Sequence, residues 1–323
     1  MRSRRYDFSL SCLRDVVIAF VFPGQGSQYS GMGREVAAEF AEAGEVFARA
    51  DGALGFSLSR LCFEGSEDEL QLTETTQPAV LTTSVALFRI LERQQKLPDF
   101  VAGHSLGEYS ALVAAGGLDF EDAVRLVHQR GRFMQEAVPV GEGAMAAVLG
   151  LKREVVESVC QEAARGEVVS AANINSADQI VISGHRSAVE RAGDLARQRG
   201  ARKVISLAVS APFHCALMRP AQERLAEVIQ DIAFHDLKIP LVNNVEARKV
   251  TRGEEARRGL VKQVSAAVLW CDCVQEMIRA GVSTFVEVGP GKALKGLIRK
   301  IAPSVQTHSI ENREQLEAYA RLF

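Results

Sequence analysis

Asp99-Phe100-Val101-Ala102-Gly103-His104-Ser105-Leu106-Gly107-Glu108-Tyr109-Ser110 reads as a short strand, a tight turn carrying a serine, and the first turn of a helix. Residues 103–107 fit G-x-S-x-G, in which a glycine on each side of the serine lets two backbones pass close together. The turn pushes Ser105 out at the carboxyl end of the strand, beside the free N–H groups and positive dipole end of the following helix. Such a place favours a developing oxyanion and suits a nucleophile. A plain strand-to-helix turn with glycines for packing fits the same five residues, so the pattern alone leaves both readings open.

Working outward, Val16-Val17-Ile18-Ala19-Phe20-Val21-Phe22 is continuously apolar and β-rich, the mark of a strand covered on both faces in a parallel sheet. The loop Pro23-Gly24-Gln25-Gly26-Ser27-Gln28 follows, and its glycines imply that the backbone near Gln25 approaches something closely. Helical spacing runs from Arg34 to Leu61, and a further helix is predicted over Ala79–Glu92, opening at Thr75-Thr76-Gln77-Pro78. After the elbow, Gly116-Gly117 ends one helix and Asp119 is the expected N-cap of the next. In that helix Ala123, Leu126, Val127 and Met134 form one apolar stripe, and Arg130 lies on it. An inward arginine requires an anionic partner. Either an internal Asp or Glu supplies it, or a substrate carboxylate does.

From Gly143 the order changes to β-α-β-β-α-β: strands at Ala144–Leu149, Val168–Ile174, Gln179–Ser183 and Lys203–Val209, helices at Arg153–Ala164 and Ser187–Gln198. That is a ferredoxin-like unit inserted in a larger α/β unit. The expected division is 16–140 with 207–323 as the large subdomain and 141–206 as the small one, the cleft between them being the natural site. Beyond it, strands are predicted at Lys238–Asn244 and Thr284–Val288, with Arg248–Arg258 as a charged connection and helices over Leu260–Ala266, Cys273–Ala280 and Ala293–Ile301. Of the six histidines, His214, following the Pro212 turn, is the best base candidate; His104 points away from the serine by alternation. No acid between Ser105 and His214 stands out, and a backbone carbonyl is the other means of orienting an imidazole.

The 323 residues are 47% hydrophobic and 24% charged with a formal net charge of -2, which gives no electrostatic case for nucleic acid or a membrane surface. Six scattered cysteines without C-x-x-C pairs read as reduced thiols of a cytoplasmic protein, and no metal site is expected. Residues 1–15 read as a poorly ordered leader.

Four stretches taken together, Phe22-Pro23-Gly24-Gln25-Gly26-Ser27-Gln28, Gly103-His104-Ser105-Leu106-Gly107-Glu108, Ala211-Pro212-Phe213-His214 and Glu287-Val288-Gly289-Pro290-Gly291, resemble the malonyl-CoA:acyl carrier protein transacylases and related acyltransferase domains of fatty acid and polyketide synthesis. The resemblance implies an α/β-hydrolase-like large subdomain with a mainly parallel sheet and a ferredoxin-like insertion. It implies Ser105 as the acylated serine, His214 as its base, the backbone N–H groups of Gln25 and Leu106 as the oxyanion hole, and Arg130 as the grip on the malonyl carboxylate. By the same resemblance the Gln263 carbonyl holds the histidine, Asn173 and Asn175 sit in an Asn-x-Asn stretch, and Phe213 resembles a preference for malonyl over methylmalonyl groups. The chain departs from the family where Ser265 to Leu269 follow Gln263 and where Ser176-Ala177 replace a common proline. The implied partners are malonyl-CoA and acyl carrier protein. No bound cofactor is implied, coenzyme A thioester being the substrate, and a monomer is expected. Arg202, Lys203, Lys295, Arg299 and Lys300 are candidates for a rim facing an acidic carrier. A serine hydrolase and a silent carrier-binding protein are the competing classes.

Overall fold

The computed structural model describes residues 16–322; the expected leader lies outside them. Among the described residues ten strands form two sheets: β1 Ile18–Phe22, β2 Phe100–Gly103, β3 Gly143–Leu149, β4 Val169–Ser176, β5 Gln179–His185, β6 Lys203–Ser206, β7 Leu241–Val242, β8 Lys249–Val250, β9 Thr284–Val288 and β10 Gln306–Ile310. The larger sheet has the order β10-β9-β1-β2-β7-β8, parallel throughout except for the β7–β8 edge pair. The smaller is fully antiparallel in the order β4-β5-β3-β6. That order, with helices Arg153–Ala164 and Arg186–Gln198 as its crossovers, is the ferredoxin-like arrangement.

The central strand β1 is covered on both faces. Alternation sends Phe20 and Phe22 to one side, where both meet Phe88 edge-to-face at 6.5 and 6.3 Å. Ala19 and Val21 point the other way, into a cluster with Trp270, Val274 and Met277. All four are fully buried, and each phenylalanine contributes about 1.5–3 kcal/mol by its removal from water.

Several boundaries differ from the sequence pattern, each for a local reason. The helical run from Arg34 breaks into Arg34–Glu39, Ala41–Leu54 and Leu58–Glu64, at an extended Phe40 and a left-handed Gly55. The helix expected from Ala79 begins at Thr73 and runs to Arg93 with Pro78 inside it. Proline has no N–H for the carbonyl four residues back. That carbonyl, Glu74 O, accepts instead from His128 Nδ1 at 2.9 Å. Asp119 occupies the N-cap position of Phe120–Glu136, but its side chain makes no capping hydrogen bond. The strand expected over Lys238–Asn244 is only Leu241–Val242, and the charged connection Arg248–Arg258 contains β8 and most of helix Gly253–Gln263. Strand β10 and helix Arg313–Ala320 lie beyond the elements that the sequence predicts, the strand because Gln306-Thr307-His308-Ser309-Ile310 is mostly polar.

The elbow depends on bare backbone. A Cβ on Gly103 would lie 1.9 Å from the Gly107 carbonyl carbon, and one on Gly107 would lie 2.0 Å from Phe22 O. Strand β1, strand β2 and the helix Gly107–Ala114 therefore meet at van der Waals distance directly under Ser105. Gly107→Ala is expected to destabilise the protein by about 3 kcal/mol or more, because the clash is with main chain that has no rotamer to move. Urea denaturation monitored by circular dichroism checks this; a loss under about 1 kcal/mol would show that the elbow has room to spare.

Candidate active site

Ser105 sits in the left-handed region at φ 51°, a conformation that costs a non-glycine residue energy and aims its side chain off the sheet. His214, also left-handed at φ 60°, leaves the loop after β6 and accepts the hydroxyl proton contact: Ser105 Oγ to His214 Nε2 is 2.7 Å. On its far side His214 Nδ1 donates to the Gln263 carbonyl oxygen at 2.8 Å. Gln263 is the last residue of helix Gly253–Gln263, where carbonyls have no intrahelical partner, so the helix end supplies the acceptor. A carbonyl can only accept, which fixes the proton on Nδ1 and leaves the Nε2 lone pair for the serine. Burial, aided by the nearby Arg130 cation, pushes the His214 pKa down to about 3, so the imidazole is neutral in the physiological range.

Arg130 is 2% exposed. Its Nη1 donates to Gln77 Oε1 at 2.7 Å, and its Nη2 donates to Gln263 Oε1 at 3.0 Å and to Ser105 Oγ at 3.1 Å. The guanidinium carbon lies 5.4 Å from the centre of the Tyr109 ring. Among the described residues no carboxylate comes within ion-pair distance of it. Of the two partners the sequence left open for this arginine, the internal ion pair is thus absent.

Below the serine lies a layer that the sequence reading did not assign. Asn244 Oδ1 accepts from Ser105 N at 2.8 Å, and Asn244 Nδ2 donates to Gly103 O at 2.7 Å. Gln263 Nε2 donates to Glu108 Oε2 at 2.8 Å, to Ser105 O at 3.1 Å and to Asn244 Oδ1 at 3.2 Å. The one sequence hint of Asn244 was a pair of asparagines at the carboxyl end of a strand. Gln77 was visible only as a polar residue beside a proline.

A cavity of about 200 Å³ joins Ser105, His214 and Arg130 with Gln25, Leu106, Phe213 and Asn173. His104 lines it as well, its Nε2 donating to Asn175 Oδ1 at 2.9 Å. This corrects the expectation that His104 points away: strand alternation does not extend into the turn. Gly24 explains the tight approach of the Gln25 loop, since a Cβ there would stand 2.4 Å from His104 O. Gln25, His104 and Asn175 also border a second cleft of about 390 Å³, which Leu294, Leu297 and Lys300 line on its other side.

A serine at such an elbow, over a parallel sheet with a ferredoxin-like insertion, places the chain in the acyltransferase class, and residues 19–311 match the family model described as acyl transferase domain. The malonyl CoA-acyl carrier protein transacylase of Escherichia coli (strain K12) is 48% identical over 305 residues, covering 94% of this chain and 99% of that one. That of Bacillus subtilis (strain 168) is 46% identical over 301 residues, covering 93% and 95%. An acyl carrier protein S-malonyltransferase from Vibrio cholerae superposes with a TM-score of 0.92 at 43% identity, covering 94% and 99%. A malonyl-transacylase solved in complex with its type II PKS acyl-carrier protein gives 0.93 at 44% identity, covering 95% and 100%. The chain belongs to the malonyl CoA-acyl carrier protein transacylase family.

The depressed pKa of His214 has a consequence for stability. Between pH 6.5 and about 3 the unfolded chain takes up a proton at this position while the folded chain does not. The corresponding stability is complete above pH 6.5 and is lost as pH falls through that window. His214→Gln is expected to lose less unfolding free energy than the unmodified protein between pH 7 and pH 4, by about 1 kcal/mol or more. Urea melts at each pH measure the difference, and parallel curves would mean that the folded imidazole takes up its proton over the same pH range as the unfolded one.

Proposed function

We propose that this chain transfers the malonyl group from malonyl-CoA to the phosphopantetheine thiol of acyl carrier protein, through a malonyl ester on Ser105. The observation that carries the reading is the buried guanidinium of Arg130, 3.1 Å from the Ser105 hydroxyl and without a protein carboxylate of its own. A cation so placed is matched by the free carboxylate of a malonyl group bound with its thioester at the serine.

In the first half-reaction Ser105 Oγ attacks the thioester carbonyl as its proton passes to His214 Nε2. The backbone N–H groups of Gln25 and Leu106 receive the oxyanion. The C–S bond then breaks, and the coenzyme A thiolate leaves with the proton from His214. In the second, His214 takes the proton of the carrier's pantetheine thiol, the sulfur attacks the ester carbonyl, the bond from that carbon to Ser105 Oγ breaks, and the proton passes from His214 to the released Oγ. The cleft past Gln25 and His104 suits the pantetheine arm, and Phe213 restricts the space beside the acyl group. We place an acidic carrier against Arg202, Lys203, Lys295, Arg299 and Lys300. The attacking hydroxyl and the groups that assist it all come from a single chain, which supports action as a monomer. The 141–206 unit is read as a small subdomain against 16–140 and 207–323. The described cysteines are free and buried, in keeping with the cytoplasm, and among the described residues no helix is long and apolar enough to cross a membrane.

Mass spectrometry of the intact protein after brief exposure to malonyl-CoA tests the reading: one added malonyl group is expected, absent in Ser105→Ala. Arg130→Ala is expected to reduce malonyl loading about 10²-fold, the loss of a charged hydrogen-bonded pair worth roughly 3 kcal/mol, while acetyl loading is spared or improved. Equal loss of both acyl groups would make Arg130 structural, and release of free malonate faster than transfer to a pantetheine thiol would make the protein a hydrolase.

A further inference from the structure

Glu108, the residue after the second elbow glycine, is fully buried one helical turn from the nucleophile. Its Oε2 accepts from Gln263 Nε2 at 2.8 Å and from the Asn244 backbone N–H at 2.9 Å, while Oε1 makes no hydrogen bond within the protein. The Glu108 carboxylate oxygen is the nearest of three acceptors, with Ser105 O at 3.1 Å and Asn244 Oδ1 at 3.2 Å, that turn the Gln263 amide with its Nε2 downward, and it is the only charged one among them. With Nε2 held down toward Glu108, Oε1 is the end presented to Arg130 Nη2 at 3.0 Å. If the amide were reversed, an NH2 group would face the guanidinium and a C=O would face the carboxylate, two repulsions in place of two hydrogen bonds.

We infer that Glu108 is a positioning residue for acyl selection: through the Gln263 amide it sets where the Arg130 guanidinium stands, and it balances that charge from one amide away without filling the site meant for the substrate carboxylate. The inference rests on the reading of Arg130 given above. A carboxylate in direct contact with Arg130 would form a salt bridge and compete with the malonyl group. One separated by an amide leaves the outward edge of the fork free. The same oxygen accepts from the Asn244 backbone N–H, a contact that the amide oxygen of Glu108→Gln keeps, so that substitution removes the charge and leaves the support of the nucleophile in place.

Burial raises the Glu108 pKa to about 7, against the lowering effect of its two N–H donors and of Arg130. The other groups around it titrate elsewhere. Tyr109 on the same helix is pushed up to about 12 by burial, and Cys273 on helix Trp270–Arg279 well above its usual 9.0. His214 is pushed down to about 3, and burial also lowers His104. Burial lowers the pKa of Arg130, on helix Phe120–Glu136, against the raising effect of Tyr109 and Glu108, and a guanidinium keeps its proton in proteins; the malonyl carboxylate is ionised between pH 6 and 8.5. Gln263 and Asn244, from the remaining sides, do not titrate.

Single-turnover loading of the full-length protein with malonyl-CoA and, separately, acetyl-CoA tests the inference, read by intact mass. In Glu108→Gln the malonyl rate is expected to fall at least tenfold and the acetyl rate to change less than threefold, with the thermal midpoint recorded alongside. Equal falls for both acyl groups, or none, overturn it. Should that variant not fold, the unmodified protein decides: its malonyl-to-acetyl rate ratio is expected to rise with pH between 6 and 8.5, half of the change falling near 7. A ratio independent of pH overturns the inference. Absence of any malonyl adduct at any pH would instead overturn the function on which it rests.

Discussion

A positive charge buried among neutral partners is the constraint on which this site is built. Removing a guanidinium from water costs several kcal/mol, and a hydrogen bond to a charged group returns about 1.5–3 kcal/mol. Arg130 therefore depends on Gln77 Oε1, Gln263 Oε1, Ser105 Oγ and the face of Tyr109 all being in place at once. These four come from three separate segments, the helices Thr73–Arg93 and Gly253–Gln263 and the elbow with the helix it opens. The packing of the larger sheet's helices is thus tied to the electrostatics of one side chain. The Pro78 helix illustrates the tie: it can carry Gln77 to the site only because His128, two residues before Arg130 on the neighbouring helix, satisfies the carbonyl that proline leaves open.

The same constraint accounts for the manner in which the histidine is held. A third-member Asp or Glu at His214 Nδ1 would add a second buried charge within reach of Arg130 and offer it a permanent partner. A backbone carbonyl at the end of a helix orients the ring and fixes its tautomer without adding net charge. One residue, Gln263, performs both tasks, its main chain holding the base and its side chain holding the cation. The two hinge on where one helix stops. Had it continued through Ala266, as its apolar pattern suggested, that carbonyl would have been consumed by the helix's own hydrogen bonds.

What the sequence made legible were features with a local signature. Ser105 announced itself by two glycines at fixed offsets, β1 by an unbroken apolar run, and Arg130 by its place on an apolar stripe. The β-α-β-β-α-β order of the insertion followed from period and turn residues. Asn244, Gln77 and Glu108 had no such signature, because what makes them matter is convergence from positions 53 to 155 residues apart, and polar residues near a turn are read locally as solvent-facing. His104 was misdirected by applying strand alternation one residue beyond the strand. Strand β10 was missed for the converse reason: Gln306–Ile310 forms a strand because β9 offers it a parallel edge, not because its side chains ask for one.

Selection on this reading acts on rate as well as on affinity. In the free site the Arg130 cation is one of the two main causes of the low proton affinity of His214, the other being burial. A malonyl carboxylate paired with that cation removes the electrostatic part, so the imidazole becomes a better base at the moment the thioester stands over Ser105. The imidazolium then formed also has an anion nearby to offset it. An acetyl group leaves the cation without an anion in direct contact and meets a poorer base. The discrimination is thereby larger than the hydrogen bonds to the carboxylate would give alone, because the missing group is absent from binding and from proton transfer together.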